Sequence, residues 1–233
     1  AIASYEWMAA VTMVVVALFF LPKFLRAGIF TMPEYLEYRY DAGARSIMAF
    51  FMMLAYVFVA LATVLYSGAL ALEAVIGLDV ITGIWIIGAL SGLYVTYGGL
   101  RAVVWTELIQ GTALLLGALL VFVLSLNALG GWAEFTALSA GKLHTVLPWN
   151  DPEMPWLAVF VGGLWIPNLF YWGLNQFITQ RALAARSLAD GQRGTLFAAA
   201  IKVSIPFLIV MPGIMAVHLY PDLIKTPDQA YPV

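Results

Sequence analysis

The chain has 233 residues, of which 63% are hydrophobic and 10% charged, and its mean hydropathy is +0.93. Soluble domains carry about 25% charged residues, so this composition excludes them and indicates an all-α polytopic membrane protein. The net charge of -2 gives no reason to expect a nucleic-acid partner, and the absence of cysteine excludes disulfide and thiolate chemistry.

The apolar stretches predict about six transmembrane helices, because a span needs about 20 apolar residues. The chain begins with Ala1 and carries no signal-peptide pattern, so we interpret it as an internal fragment of a longer protein. The expected spans, separated in one place by an extracellular loop at 127–155, cover approximately residues 1–21, 44–75, 80–97, 100–126, 156–180 and 195–219.

Local signals mark the ends of several of these stretches. Thr31, with Glu34 three residues later and Pro33 in the first turn, predicts a capping box and a short interfacial helix. The second span is too long for an upright helix, so we expect it to tilt. Gly98 and Gly99 predict a tight turn with glycine dihedral angles, and residues 181–194 read as a polar loop.

The distribution of lysine and arginine predicts the orientation. If the first span runs outside to inside, the outer side receives only Lys142 and Lys225. The positive-inside rule then places the opposite side in the cytoplasm. That side receives Lys23, Arg26, Arg39, Arg45, Arg101, Arg181, Arg186 and Arg193.

The fifth span is interrupted in a way that a passive membrane anchor avoids. Gly162, Gly163 and Pro167 lie near its middle, and Asn168 follows directly. Glycine and proline free backbone polar groups, which in a bilayer must be satisfied by protein or by a water-filled cavity. A span interrupted in this way indicates a transporter's binding site near the membrane midplane, although a tolerated structural kink gives the same pattern.

Three ionisable residues lie inside expected spans, where each costs about 2.5–3.5 kcal/mol at a helix centre. Glu6, Glu107 and Lys202 therefore indicate a ligand or ion path. Each also has a simpler interpretation. Glu6 then lies at the outer interface, Glu107 pairs with Arg101, and Lys202 extends its side chain to the cytoplasmic surface.

Polar and aromatic residues follow the interruption at helical spacing. Asn168, Tyr171 and Trp172 are spaced i, i+3, i+4 and so share one helical face. An amide, a phenol and an indole on one face suit a small polar ligand, and an aromatic packing stripe has the same spacing. No metal-ligand cluster, phosphate loop or Ser/His/Asp arrangement is found in the sequence, so we expect neither an enzyme nor a resident cofactor.

Several segments together resemble the solute:sodium symporter family, in its sugar-transporting branch. The likeness extends over essentially the whole chain and continues through Gln180, Arg181 and Lys202. The segments that carry it read YEW at 5–7, IFTMPE at 29–34, YGGLRAVVWTELIQ at 97–110 and GGLWIPNLFYWGLNQ at 162–176.

The resemblance implies a LeuT-like fold of two inverted five-helix repeats, of which this chain holds about six helices in the inner (cytoplasmic) membrane. It implies that Glu6, Asn168 and Lys202 bind the sugar and that Tyr5 lies on its outer side. Tyr171 and Trp172 would form the cytoplasmic gate, and Glu107 would contribute to cation coupling. Sodium is the implied coupling ion, and the resemblance names no metal ligand for it within this chain.

Two positions depart from the galactose-transporting members, which have serine at Ala9 and asparagine at Ala60. The loss of these hydrogen-bonding groups leaves the specific sugar open. We therefore expect sodium-coupled sugar symport by alternating access, with two alternatives. One is a sodium symporter for another solute, such as myo-inositol, proline or pantothenate. The other is a membrane sensor built on a transporter core.

Overall fold

The computed structural model describes residues 2–152 and 154–224, and all regular secondary structure in them is helical. Position 1 of the first expected span and Lys225 of the orientation argument lie outside the described residues. We number the helices α1 to α8 along the chain. They are α1 Ser4–Arg26, α2 Met32–Arg39, α3 Ala42–Ile76, α4 Val80–Ala128, α5 Trp132–Leu138, α6 Ala158–Leu174, α7 Gln176–Leu183 and α8 Leu188–Leu219.

Four of these helices, α1, α3, α4 and α8, are long and apolar enough to cross a bilayer, and α6 is a shorter apolar helix. The expected spans 80–97 and 100–126 lie within the single helical stretch of α4. Residues 181–194, expected as a polar loop, are mostly helical, because α7 extends to Leu183 and α8 already begins at Leu188. Ser187 accounts for that early start, since its side chain accepts the Asp190 N–H and caps the helix.

The long helix α4 is interrupted at Gly99, whose φ of 54° and ψ of -151° lie outside the helical region. This confirms that glycine supplies an unusual dihedral angle at the expected turn. Before the interruption α4 packs closely on α3, where a Cβ on Gly83 would lie 3.1 Å from that of Ala69. Small residues permit this close approach between membrane helices.

After Gly99, helix α4 follows α1 in the opposite direction. Glu107 contacts Arg181, which lines a cavity together with Phe24 near the end of α1. Further along, Phe122 and Leu126 join a cluster that includes Ile2, just before α1 begins. The chain therefore passes from one end of α1 to the other over this stretch.

Proline accompanies two of the widened, π-helical turns. Proline lacks an N–H and clashes with the carbonyl four residues earlier, which a widened turn accommodates. Helix α1 widens over Val16–Phe20, just before Pro22, and α8 widens over Pro206–Val210. The Gln192 amide donates to the carbonyl of Ala17 at 3.0 Å, so one backbone group in the widened turn of α1 gains a partner from α8.

Most of the buried residues lie where α1, α2, α6, α7 and α8 meet. One apolar cluster joins Leu21 and Phe24 of α1 to Met32 of α2 and Leu183 of α7. A second joins Ala10 and Met13 of α1 to Ala199 of α8. The most apolar stretches of α3 and α4, in contrast, are almost entirely exposed, as expected for helices that face lipid or further protein.

Candidate solute site at the interrupted helix

The interruption that the sequence predicted in the fifth span takes the form of two widened turns in α6. They cover Ala158–Gly163 and Phe170–Leu174, on either side of a short α-helical segment. Side chains of the helix itself satisfy some of the backbone groups, because Trp165 donates to the Phe160 carbonyl at 2.6 Å. Such compensation is what a non-helical backbone needs at membrane depth.

Helix α6 lies directly against α1 at Gly173. A Cβ there would lie 3.1 Å from both the Val16 and Phe20 side chains, so the missing side chain permits the contact. On its other side α1 packs along α8. Glu6 of α1, Trp172 of α6 and Lys202 of α8 meet between these helices, and Asn168 precedes Trp172 by four residues on α6.

Glu6 and Lys202 form an ion pair in this region, with 2.6 Å between Oε2 and Nζ. Their side chains are only 18% and 22% exposed. Because a charge in such surroundings is costly without a partner, each charge requires the other. Lys202 thus extends its ammonium toward α1 rather than to the cytoplasmic surface, and Glu6 is a partly buried carboxylate.

The aromatic pair of α6 adjoins this ion pair. The Lys202 ammonium lies 4.8 Å from the centre of the Trp172 ring, within the range of a cation–π contact. Tyr171 packs edge-on against Trp172, with ring centres 5.0 Å apart. Lys202 is therefore held by a carboxylate and by an aromatic face at the same time.

Asn168 is fully buried on α6, and half of its amide is unpaired. Its Nδ2 donates to the Leu164 carbonyl at 2.8 Å, while Oδ1 has no partner among the residues that the structure describes. The indole Nε1 of Trp172 is likewise buried without an acceptor. Unpaired buried polar atoms are rare in folded proteins, and here one is an acceptor and the other a donor.

Tyr5 lies at the edge of the region, with 40% of its surface exposed. Its phenol is within electrostatic range of Glu6 and of the Tyr171 phenol. Next along α1, the indole of Trp7 donates to the Val203 carbonyl of α8 at 3.2 Å. This hydrogen bond is a second contact between α1 and α8. The sequence does not predict it, because it shows Trp7 only as a neighbour of Glu6.

The other predicted carboxylate, Glu107, pairs with a residue of α7. It makes two hydrogen bonds with Arg181, one of them 2.7 Å between Oε2 and Nε. Arg181 also donates to the Phe177 carbonyl and lies 4.8 Å from the centre of the Phe177 ring. The interpretation that paired Glu107 with Arg101 is therefore wrong, because its ion-pair partner is Arg181.

A cavity of about 360 Å³ lies between α1, α7 and α8, with Trp172 in its wall. Small residues on α8, namely Gly191, Gly194 and Ala198, leave the space open, and Arg181 and Asp190 also line it. The spacing of these small residues along α8 is the one sequence signal that indicates the cavity. The cavity and the ion pair are thus both bordered by the Trp172 side chain.

The two positions that depart from the galactose-transporting members differ in the structure. Ala9 is fully buried on α1, three residues after Glu6. Ala60 is exposed on α3, so a polar side chain there would face outward from the described helices. His, Asp and Glu residues form no group of three or more that could hold a metal ion within residues 2–152 and 154–224.

The pattern that describes the sodium:solute symporter family matches residues 1–229. The chain belongs to this family. Members are transporters rather than enzymes and are integral membrane proteins, in agreement with the long apolar helices. The expectation of a likeness to sodium and sugar symporters, drawn from four sequence segments, is confirmed.

Individual relatives are also named as symporters or cotransporters. A sodium/glucose cotransporter of Vibrio parahaemolyticus is 41% identical over 95% of the chain and 43% of its own length. An uncharacterized symporter, YidK of Escherichia coli K12, is 42% identical over 98% of the chain and 42% of its length. Mouse sodium/myo-inositol cotransporter 2 is 33% identical over 95% and 36%. The chain thus spans about two fifths of the length of these relatives.

Proposed function

We propose that this symporter couples sodium entry to the uptake of a neutral, hydroxyl-rich sugar, glucose-like or galactose-like, across the cytoplasmic membrane. The observation that carries the proposal is a set of polar groups that α1, α6 and α8 contribute where these helices pack together. It comprises a paired carboxylate and ammonium from Glu6 and Lys202, an unpaired acceptor on Asn168, and an unpaired donor on Trp172.

A sugar hydroxyl complements these groups because it donates and accepts at once. One hydroxyl can donate to Asn168 Oδ1, and a hydroxyl oxygen can accept from Trp172 Nε1. Hydrogen bonds to the charged pair are the stronger kind, worth roughly 1.5–3 kcal/mol each. The pair carries no net charge, so it favours a ligand without net charge over the anion pantothenate.

The family resemblance implies the following roles, and the positions of the side chains support them. Glu6, Asn168 and Lys202 bind the sugar, and Tyr5 borders it on the outer side. Tyr171 and Trp172 form the cytoplasmic gate, and the cavity beyond Trp172 provides the space into which the gate opens. Alternating access then exposes the site first to one side of the membrane and then to the other.

Sodium supplies the free energy as a co-transported substrate, at about 2.3 kcal/mol per charge for each 100 mV of membrane potential. Glu107 takes part in cation coupling in this proposal, in competition with its partner Arg181. The positive-inside distribution of lysine and arginine supports placing the α7 end of the molecule in the cytoplasm.

Uptake by the full-length protein in proteoliposomes tests the function. With an inward sodium gradient we expect accumulation of glucose or galactose, and without it only equilibration. A competition panel that contains myo-inositol, proline and pantothenate then ranks the solutes. No sodium-dependent accumulation of any sugar by folded protein would contradict the proposal and favour another solute or the sensor alternative.

A pair of tryptophan variants links uptake to the site. Trp172→Phe keeps an aromatic ring but removes the unpaired donor, so we expect sugar affinity to fall by about two- to tenfold. Trp85→Phe is the matched control, because Trp85 is 73% exposed on α4. Equal affinities for the two variants would remove the Trp172 donor from the site.

A further inference from the structure

Asn175 separates α6 from α7 and has an extended backbone, with φ of -75° and ψ of 117°. Its side chain is buried, with 8% exposed. The amide oxygen Oδ1 accepts the N–H of Phe177 at 3.0 Å and so caps α7. The same oxygen accepts the hydroxyl of Tyr56 at 2.6 Å, from a residue 119 positions earlier in the chain.

Both partners lie in or directly after a widened turn. Tyr56 lies in the π-helical turn Ala55–Leu61 of α3, and Asn175 follows the π-helical turn Phe170–Leu174 of α6. Such turns are frequently found at functional sites. No proline or glycine within Ala55–Leu61 accounts for the wide turn of α3. The hydrogen bond therefore connects two irregular turns from otherwise separate parts of the chain.

The two helices on either side of Asn175 are held differently. Helix α7 is anchored, because Gln176 Oε1 accepts the Met32 N–H at 2.8 Å and Arg181 pairs with Glu107. Helix α6 instead carries two unpaired polar atoms and borders the cavity through Trp172. A movement of Trp172 relative to α7 requires a change in the backbone at Asn175, three residues later.

We propose that Tyr56 is a positioning residue. By holding Asn175, its hydroxyl fixes the angle between α6 and α7 and thereby keeps Trp172 and Asn168 aligned with the solute site. This inference rests on the proposed function, since it assigns Tyr56 to the gate of the same site. Opening the gate stretches or breaks the bond between Tyr56 and Asn175.

Uptake kinetics of Tyr56→Phe in the full-length protein test the proposal. The variant keeps the ring and loses only the hydroxyl, so the aligned arrangement of α6 is less populated before the sugar binds. We expect the KM for sugar to rise about two- to tenfold, the effect of one hydrogen bond. The maximal rate per folded transporter should stay equal or increase. Tyr66→Phe is the control, because Tyr66 is 54% exposed on the same helix.

A loss of stability alone gives a different result. It would lower the amount of folded transporter and leave the KM unchanged, and that outcome would overturn the positioning role. The partner supplies a second criterion. In an Asn175→Ala background the acceptor is missing, so Tyr56→Phe should have no further effect on the KM. Independent, additive effects of the two substitutions would also overturn it.

A measurement without solute separates this inference from the proposed function. The 233 residues contain no cysteine, so Ala198→Cys introduces a single thiol into the cavity wall beside Trp172. Any cysteine elsewhere in the full-length protein is first replaced. Alkylation of this thiol should be several-fold faster with Tyr56→Phe than without it. Equal alkylation rates would refute the proposed hinge at Asn175 between α6 and α7. Faster alkylation in a protein that transports no tested sugar would refute only the proposed function.

Discussion

At the scale of single residues, the contact between Glu6 and Lys202 determines what each side chain can do. Neither charge is fully exposed, so removing one leaves the other without compensation. A substitution at one position therefore combines two effects, the loss of a bond to the solute and the cost of an unpaired charge. The two effects separate only when both members of the pair are changed.

We expect Lys202→Ala to lower sugar affinity by about tenfold or more, because hydrogen bonds to charged groups are the stronger kind. Adding Glu6→Gln removes the unpaired carboxylate and should restore thermal stability without restoring affinity. Binding of labelled sugar and thermal unfolding of the purified full-length variants measure the two quantities. Recovery of affinity in the double variant would mean that the ion pair is structural and does not bind the solute.

At the scale of elements, three local sequence signals predict features that the structure contains. The capping box of α2 is confirmed, since the Glu34 carboxylate accepts the N–H of Phe30 at 2.9 Å and of Thr31 at 3.0 Å. The interruption at Gly99 and the irregular course of α6 near Gly163 were also predicted, because glycine and proline act through their own covalent structure. All of these features depend on residues only a few positions apart.

Features that depend on distant partners were not predicted from the residues alone. The widened turn over Ala55–Leu61 contains no proline or glycine, and Tyr56 finds its acceptor 119 residues away. The partner of Glu107 is 74 residues away, whereas the alternative considered from the sequence was Arg101, six residues away. Spacing along a helix identifies a shared face but not the helix that faces it, so packing decides these contacts.

The cap of α2 gives a pH-dependent prediction. The backbone N–H of Phe30, more than any other group, lowers the pKa of Glu34 below its ordinary value of 4.5. Because the folded-state pKa is the lower one, the carboxylate stabilises the fold above pH 4.5, and this contribution is lost as the pH falls through the folded-state pKa. Glu34→Ala should destabilise the protein by about 0.5–1 kcal/mol at pH 7.

The comparison with the wild type at two pH values provides the control. The difference in thermal stability between wild type and Glu34→Ala should become smaller as the pH falls from 4.5 through the folded-state pKa of Glu34, since below that pKa both proteins lack the charged cap. Differential scanning calorimetry of the full-length protein in detergent measures this difference in thermal stability directly. A difference that is constant or grows with acidity would contradict the assignment of the lowered pKa to Glu34.

At the scale of the whole molecule, few polar contacts connect the exposed helices α3 and α4 to the helices around the site. The pair of Glu107 and Arg181 joins α4 to α7, and the hydrogen bond from Tyr56 to Asn175 joins α3 to the start of α7. Both contacts meet α7, which follows the proposed hinge. The proposed movement of α6 relative to α7 therefore places both contacts next to the part of the chain that changes.

Neutralising Glu107 and Arg181 distinguishes an ion pair that only holds α4 against α7 from one whose carboxylate also interacts with sodium. The Arg181 side chain is 24% exposed and the Glu107 side chain 42%. The double-mutant coupling between Glu107→Gln and Arg181→Gln should therefore be only about 0.5–1 kcal/mol in stability. If Glu107 also interacts with sodium, Arg181 competes for the same carboxylate. Arg181→Gln should then raise the apparent sodium affinity of uptake, which structural damage cannot do.

Glu107→Gln should lower the apparent sodium affinity, and the double variant should remain as low as Glu107→Gln alone. Both expectations follow because a neutral amide attracts a cation much less than a carboxylate at the same position does. Sodium titrations of sugar uptake by the four proteins of the cycle measure these affinities. Recovery of the wild-type sodium affinity in the double variant would show that the ion pair matters only as a tie between α4 and α7.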